Sequence, residues 1–132
     1  MTDGSPGAVD HLAGIAAGHR HLRLLVLFGS RARGDSRADS DWDLGYLADT
    51  GFDPDGLLLG LVTRLGADRV DLVDLARAGA QLRFRAAAEG RVLHESQPAT
   101  FERFWLEAVH FWCDAGPIIR DGYAQVLARL RP

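Results

Sequence analysis

The chain has 132 residues, 47% of them hydrophobic and 25% charged, with a formal net charge of −3 at pH 7. That length suits one domain with a real core and falls short of two, and the acidic balance gives no electrostatic basis for nucleic acid as the main partner. A single cysteine, Cys113, excludes an internal disulfide and a thiolate metal cluster, and fits a reducing cytosol. No apolar segment reaches the roughly 18 uncharged residues of a membrane span. The opening MTDGSPGAVD carries an acid and lacks the basic region of a signal peptide, so a cytoplasmic location is expected.

Residues 1–6 read as a frayed tail. Ala8 to about His19 predicts a helix with Val9, Leu12, Ala13, Ile15 and Ala16 as its apolar face. His11, His19 and His21 lie close in sequence, but zinc takes three or four ligands at a spacing they lack, so they read as surface side chains. Leu24 to Phe28 has the length and bulk of a buried strand. It stops at Gly29-Ser30, where the chain turns into a short helix reaching about Arg33. Backbone amides at such a tip, together with the helix dipole, favour an anion. Gly29 lets the backbone approach a ligand closely, and Ser30 adds a hydroxyl donor. Arg31 and Arg33 stand next to this cradle, and a guanidinium grips phosphate through paired hydrogen bonds. Arg37, farther along, reads as solvated.

Ten residues after Gly29-Ser30 come Asp41 and Asp43, at the start of a second strand that continues through Leu44-Gly45-Tyr46-Leu47. Alternation along a strand puts both carboxylates on one face and Trp42 on the other. Two adjacent carboxylates repel unless a cation lies between them. Mg²⁺ suits the place, because it takes one or two carboxylates plus water and phosphate oxygens. A phosphate cradle beside such a pair is equipment for moving a phosphoryl or nucleotidyl group.

The string GSRARGD…SDWDL, built on Gly29-Ser30 and Asp41-Trp42-Asp43, resembles the polymerase-β-like nucleotidyltransferase superfamily and, within it, the minimal nucleotidyltransferase (MNT) domains. Beyond a turn at Asp49-Thr50-Gly51, Pro54 to about Leu65 predicts a helix closed by Gly66. Leu57, Leu58, Leu61, Val62 and Leu65 form its sheet-facing stripe. Arg69 to Leu75 predicts a third strand. Asp71 and Asp74 fall on its opposite faces, so only one can meet Asp41 and Asp43; the resemblance favours Asp71, and Asp74 reads as a strand-end turn residue. Ala80 to Ala88 predicts a short helix ended by Gly90, and Arg91 to Glu95 a last strand. Leu82-Arg83 and Arg85, followed by Glu89-Gly90-Arg91-Val92-Leu93, again resemble MNT antitoxins. Arg83 and Arg85 are either solvated or engaged with nucleotide or partner.

The C-terminal third is helical and aromatic. Phe101, Phe104, Trp105, Ala108 and Trp112 form one apolar stripe. Pro117 interrupts it, and Ile119, Tyr123, Val126, Leu127 and Leu130 form a second. Core packing accounts for most of this, while Val109 and Phe111 widen the surface enough to bury a partner helix. Arg103 and His110 show the R-x6-H spacing of HEPN ribonucleases, but their apolar surroundings and the α/β start contradict that reading.

The expected architecture is a single α/β (α+β) domain over residues 1–132. Its polymerase-β-like nucleotidyltransferase core lies at about 20–95, a small mixed sheet with helices on one face and the catalytic acids on the other, and a C-terminal helical segment spans 98–131. The resemblance is close over 20–95 and looser beyond. It implies that Asp41 and Asp43 hold two Mg²⁺ ions, with Asp71 completing one site and able to accept a proton. It implies that Gly29, Ser30, Arg31 and Arg33 bind the nucleotide and that ATP donates AMP. It implies, further, an antitoxin of a type VII-like HEPN/MNT pair that modifies a tyrosine of its HEPN ribonuclease toxin and forms a hetero-oligomer with it. Two alternatives stand beside this one: an antitoxin that acts by binding alone, and an aminoglycoside-type nucleotidyltransferase with a small-molecule acceptor.

Overall fold

A computed structural model describes residues 6–35, 40–66 and 69–114. Its centre is β1 (Leu22–Phe28), in which Leu24, Leu25, Val26, Leu27 and Phe28 are each no more than 2% exposed. A strand apolar on both faces needs an inner position, with a layer packed on each side. Accordingly, β2 (Trp42–Ala48) and β4 (Arg91–Glu95) flank β1, both antiparallel to it. β3 (Val70–Asp74) joins parallel to β2, which gives a mixed sheet of order β3-β2-β1-β4.

A parallel pair requires a long crossover, and α3 (Pro54–Leu65) supplies it between β2 and β3. Its ends are set locally. The Asp53 side chain accepts from the Gly56 amide at 3.1 Å, Pro54 occupies the first turn, and Gly66 adopts the left-handed conformation with its amide on the Val62 carbonyl at 2.9 Å. With α1 (Pro6–Ala17), α3 covers one face of the sheet, where Leu12, Ala16, Leu57 and Leu61 meet Leu25, Leu27 and Leu44.

The opposite face carries α4 (Ala80–Glu89) and α5 (Thr100–Cys113). Ala86, Ala87, Phe104 and Ala108 pack there on Leu24, Val26 and Phe28. The expectation of helices on one face and acids on the other therefore holds for α1 and α3 alone. α4 and α5 share the acid-bearing face, because the second apolar face of β1 also has to be covered. In α5 the buried positions are Thr100, Phe104, Ala108 and Trp112. Trp105, expected in the stripe, is 43% exposed, along with Leu106 and Phe111. Trp112 instead stacks on Phe84 of α4 with ring centroids 4.9 Å apart. Arg37, Pro117 and the stripe from Ile119 to Leu130 lie outside the described residues. No helix among the described residues is long and apolar enough to cross a membrane.

Candidate active site

Asp43 stands where three strands meet. The antiparallel register sets it opposite Phe28, the last residue of β1, and the parallel register sets it opposite Asp71. Neighbouring strands lie about 4.8 Å apart, and residues paired in register point to the same face. The carboxylates of Asp43 and Asp71 are therefore adjacent on the α4/α5 face. Asp41 is exposed just ahead of β2, and Trp42 is turned into the opposite core. Asp74 plays the expected turn role, its side chain accepting from the Ala76 amide at 3.0 Å.

The electrostatics follow from this crowding. Burial pushes the Asp43 carboxyl above its ordinary value; Arg85 draws it back, and the charges of Asp71, Asp41 and Glu89 push it further up. A cation would relieve that excess of negative charge. Among the described residues, no three His, Cys, Asp or Glu side chains are gathered tightly enough to enclose an ion by themselves. That arrangement fits Mg²⁺, which needs only one or two carboxylates and takes its other ligands from water and phosphate.

Gly29 joins the two halves of the motif. Its φ of 78° is one that side chains rarely adopt, and a Cβ placed there would overlap the Asp43 carboxylate. The carbonyl of Gly29 accepts from the Ala32 and Arg33 amides at 3.0 and 3.1 Å and so starts α2 (Ser30–Arg33). Ser30 is half-buried at the first position of that helix.

The two arginines of α2 part company. Successive helical residues are about 100° apart, so Arg31 and Arg33 project to nearly opposite sides. Arg31 is 5% exposed. Its Nε and Nη2 donate to the Ser40 carbonyl at 3.3 and 2.9 Å, and its guanidinium lies 4.3 Å from the centre of the Trp42 ring. Trp42 belongs to the core beneath α1 and α3, so Arg31 braces the loop before β2. Arg33 faces the acid side, with Nη1 3.4 Å from Glu89 and Nε 3.3 Å from Asp35.

Two residues of α4 complete the site. Arg85, left open from the sequence, lies over the Phe28 ring at 5.5 Å and beside Asp43. Glu89 entered the sequence reading only as part of the stretch that resembles MNT antitoxins, with no role of its own. Its side chain is 5% exposed, and its Oε1 accepts the Gly29 amide at 3.0 Å. One signal existed: a carboxylate in the last turn of a helix opposes the macrodipole, so a glutamate there asks for partners elsewhere. Arg83 is separate, stacked over Phe111 at 4.9 Å. A concavity of about 440 Å³ lined by Tyr46, Phe52, Asp74 and Arg77 opens at the far end of β2 and β3, away from the acids.

A mixed sheet that sets a Gly-Ser turn against paired acids on adjacent strands is the framework of a nucleotidyltransferase, and the chain belongs to the family described as polymerase beta, nucleotidyltransferase, whose model matches residues 10–99. Closer relatives sharpen the picture. The chain is similar to the protein adenylyltransferase MntA of Aphanizomenon flos-aquae (strain 2012/KM1/D3), at 33% identity over 97 residues, which is 64% of this chain and 64% of the relative's length. Among solved structures it resembles a chain of a toxin–antitoxin crystallised with AMP-PNP (TM-score 0.69, 22% identity, 92% of this chain and 97% of that one). It also resembles a chain from the complex of a tri-AMPylated Shewanella oneidensis HEPN toxin with its MNT antitoxin (TM-score 0.63, 21% identity, 93% and 95% covered).

Proposed function

We propose that this chain is the antitoxin of a HEPN/MNT pair, acting in the cytoplasm as a protein adenylyltransferase that moves AMP from ATP to a tyrosine of its HEPN toxin. The observation that carries the reading is the contact of the motif glycine, Gly29, with Asp43, which is itself in register with Asp71. The named activity of the MntA relative and the MNT–HEPN complexes among the structural neighbours support the acceptor.

Asp41, Asp43 and Asp71 would offer Mg²⁺ one or two carboxylates at a time, with water and phosphate oxygens as its other ligands. Bound there, the metal supplies positive charge that makes an incoming hydroxyl more acidic and offsets charge on the leaving phosphates. The chain's own groups do the rest. Ser30 offers its hydroxyl to the β- and γ-phosphates, and the side-chain-free turn at Gly29 lets the phosphates come close to the acids. Arg33, on the acid side of α2, offers a guanidinium to the same phosphates, and Arg85 tempers the charge around Asp43. The tyrosine oxygen attacks the α-phosphorus, pyrophosphate departs, and Asp71, exposed at the edge of the site, accepts the hydroxyl proton.

The test is to incubate the chain with ATP, Mg²⁺ and the HEPN protein and to weigh the toxin. Mass increments of AMP are expected with the wild type and none with Asp41→Ala/Asp43→Ala; no increment with the wild type sinks the enzymatic reading. The exposed Trp105, Leu106 and Phe111 of α5 keep a second reading in view, neutralisation by covering the toxin. Full neutralisation by the double acid variant would establish that one.

A further inference from the structure

The most deeply buried carboxylate near the acids has no part in the steps above. Glu89 ends α4, with its side chain 5% exposed, and a buried charge persists only where it is paired. Its partners come from three places. The Gly29 amide donates to Oε1 at 3.0 Å, Arg85 Nη2 lies 3.6 Å from the same oxygen, and Arg33 Nη1 lies 3.4 Å from Oε2. Oε2 makes no hydrogen bond among the described residues, so the Arg33 guanidinium is held there by charge at a looser distance. Every one of these partners borders the nucleotide side of the site. Gly29 lies against the Asp43 carboxylate, Arg85 modulates it, and Arg33 is the arginine of α2 on the Glu89 side. Arg33 is thus shared between Glu89 and the exposed Asp35, 3.3 Å from its Nε, and Arg85 between Glu89 and Asp43. Without Glu89, each guanidinium would keep only its outer carboxylate and lose the anion that holds both beside Gly29.

We infer that Glu89 is a positioning residue for the nucleotide: its carboxylate fixes the Gly29 amide and stations Arg33 and Arg85 to receive the phosphates. The inference rests on the nucleotide-binding reading of the Gly29–Arg33 segment. It gives the helix-terminal glutamate a purpose that offsets its unfavourable place on the dipole. It also explains why the turn at Gly29 is tied to a residue 60 positions away in sequence.

The experiment measures Mg·ATP binding by calorimetry, and the KM and kcat of AMP transfer to the HEPN protein, for the full chain and its variants. Glu89→Gln keeps an acceptor for Gly29 and the side chain's size but removes the charge that stations the arginines. It is expected to melt near the wild type, to bind Mg·ATP about tenfold more weakly and to raise KM for ATP with kcat nearly unchanged, as misplaced binding groups do. Glu89→Asp keeps the charge but draws the carboxylate back by one methylene; it shifts KM in the same direction, and it carries the test if the glutamine variant does not fold. Wild-type ATP affinity and KM in a folded Glu89→Gln or Glu89→Asp variant would overturn the inference and leave Glu89 as packing. Absence of Mg·ATP binding by the wild type would overturn the nucleotide reading itself, and this inference with it.

Discussion

Asp43 carries the most strained charge in the site, and its titration follows. Burial and the neighbouring acids raise its carboxyl above the ordinary value of 3.8, with Arg85 in partial opposition. A carboxyl whose pKa rises on folding holds its proton better in the native state. Its contribution to stability is complete below the unfolded value and is lost as pH climbs through the raised native one. Asp43→Asn removes that loss. In chelator it is expected to raise the melting temperature of the metal-free chain at pH 7 by a few degrees, roughly what a kcal/mol or less provides, and to change little at pH 3; thermal scans at the two values check the sign. Arg31 makes a second residue-scale case. Since its guanidinium serves the Ser40 carbonyl and the Trp42 ring, Arg31→Ala is expected to cost about 1–3 kcal/mol in urea unfolding, through the charge-assisted hydrogen bonds and the ring contact it loses. The spelling of the motif shows two similar arginines; only the turn of α2 separates them by side.

At the scale of elements, α3 is the part best written into the chain. Asp53, Pro54 and Gly66 bound it, and the leucine stripe faces the sheet as its period requires. Leu61 is fully buried and Leu59 is 68% exposed. Leu61→Ala should therefore cost about 2–5 kcal/mol and Leu59→Ala no more than about 0.5 kcal/mol, as chemical denaturation would measure. α5 was less legible. Its aromatic residues satisfy the helical period at several angles, and periodicity alone does not say which angle meets the sheet. Contact with α4 chose it, seating Trp112 on Phe84 and leaving Trp105 in solvent.

For the whole molecule, the site exists only when β1, β2, β3 and α4 are assembled together. A ligand that binds this assembly and not the unfolded chain stabilises it by mass action, about 2.7 kcal/mol at a hundredfold excess over Kd. ATP with Mg²⁺ should therefore raise the melting temperature of the wild type. The double variant Asp41→Ala/Asp43→Ala should show no such rise while remaining folded, because neither acid belongs to the two buried apolar clusters.

What the sequence determined by itself was whatever rests on short-range order. The strands and helices follow from the period of their apolar residues, and the Gly29-Ser30 and Asp41–Asp43 pattern from fixed spacing along one stretch of chain. Alternation along the third strand left Asp71 and Asp74 as rivals for Asp43; the family resemblance favoured Asp71, and the parallel register of β2 and β3 sets Asp71 opposite Asp43. Tertiary structure decided the rest. It set Arg31 on the Ser40 carbonyl and the Trp42 ring, laid α4 and α5 on the acid-bearing face, and brought Glu89 to Gly29 from 60 residues away. Those outcomes depend on which surfaces remain to be covered once the sheet has formed, and no local pattern records that.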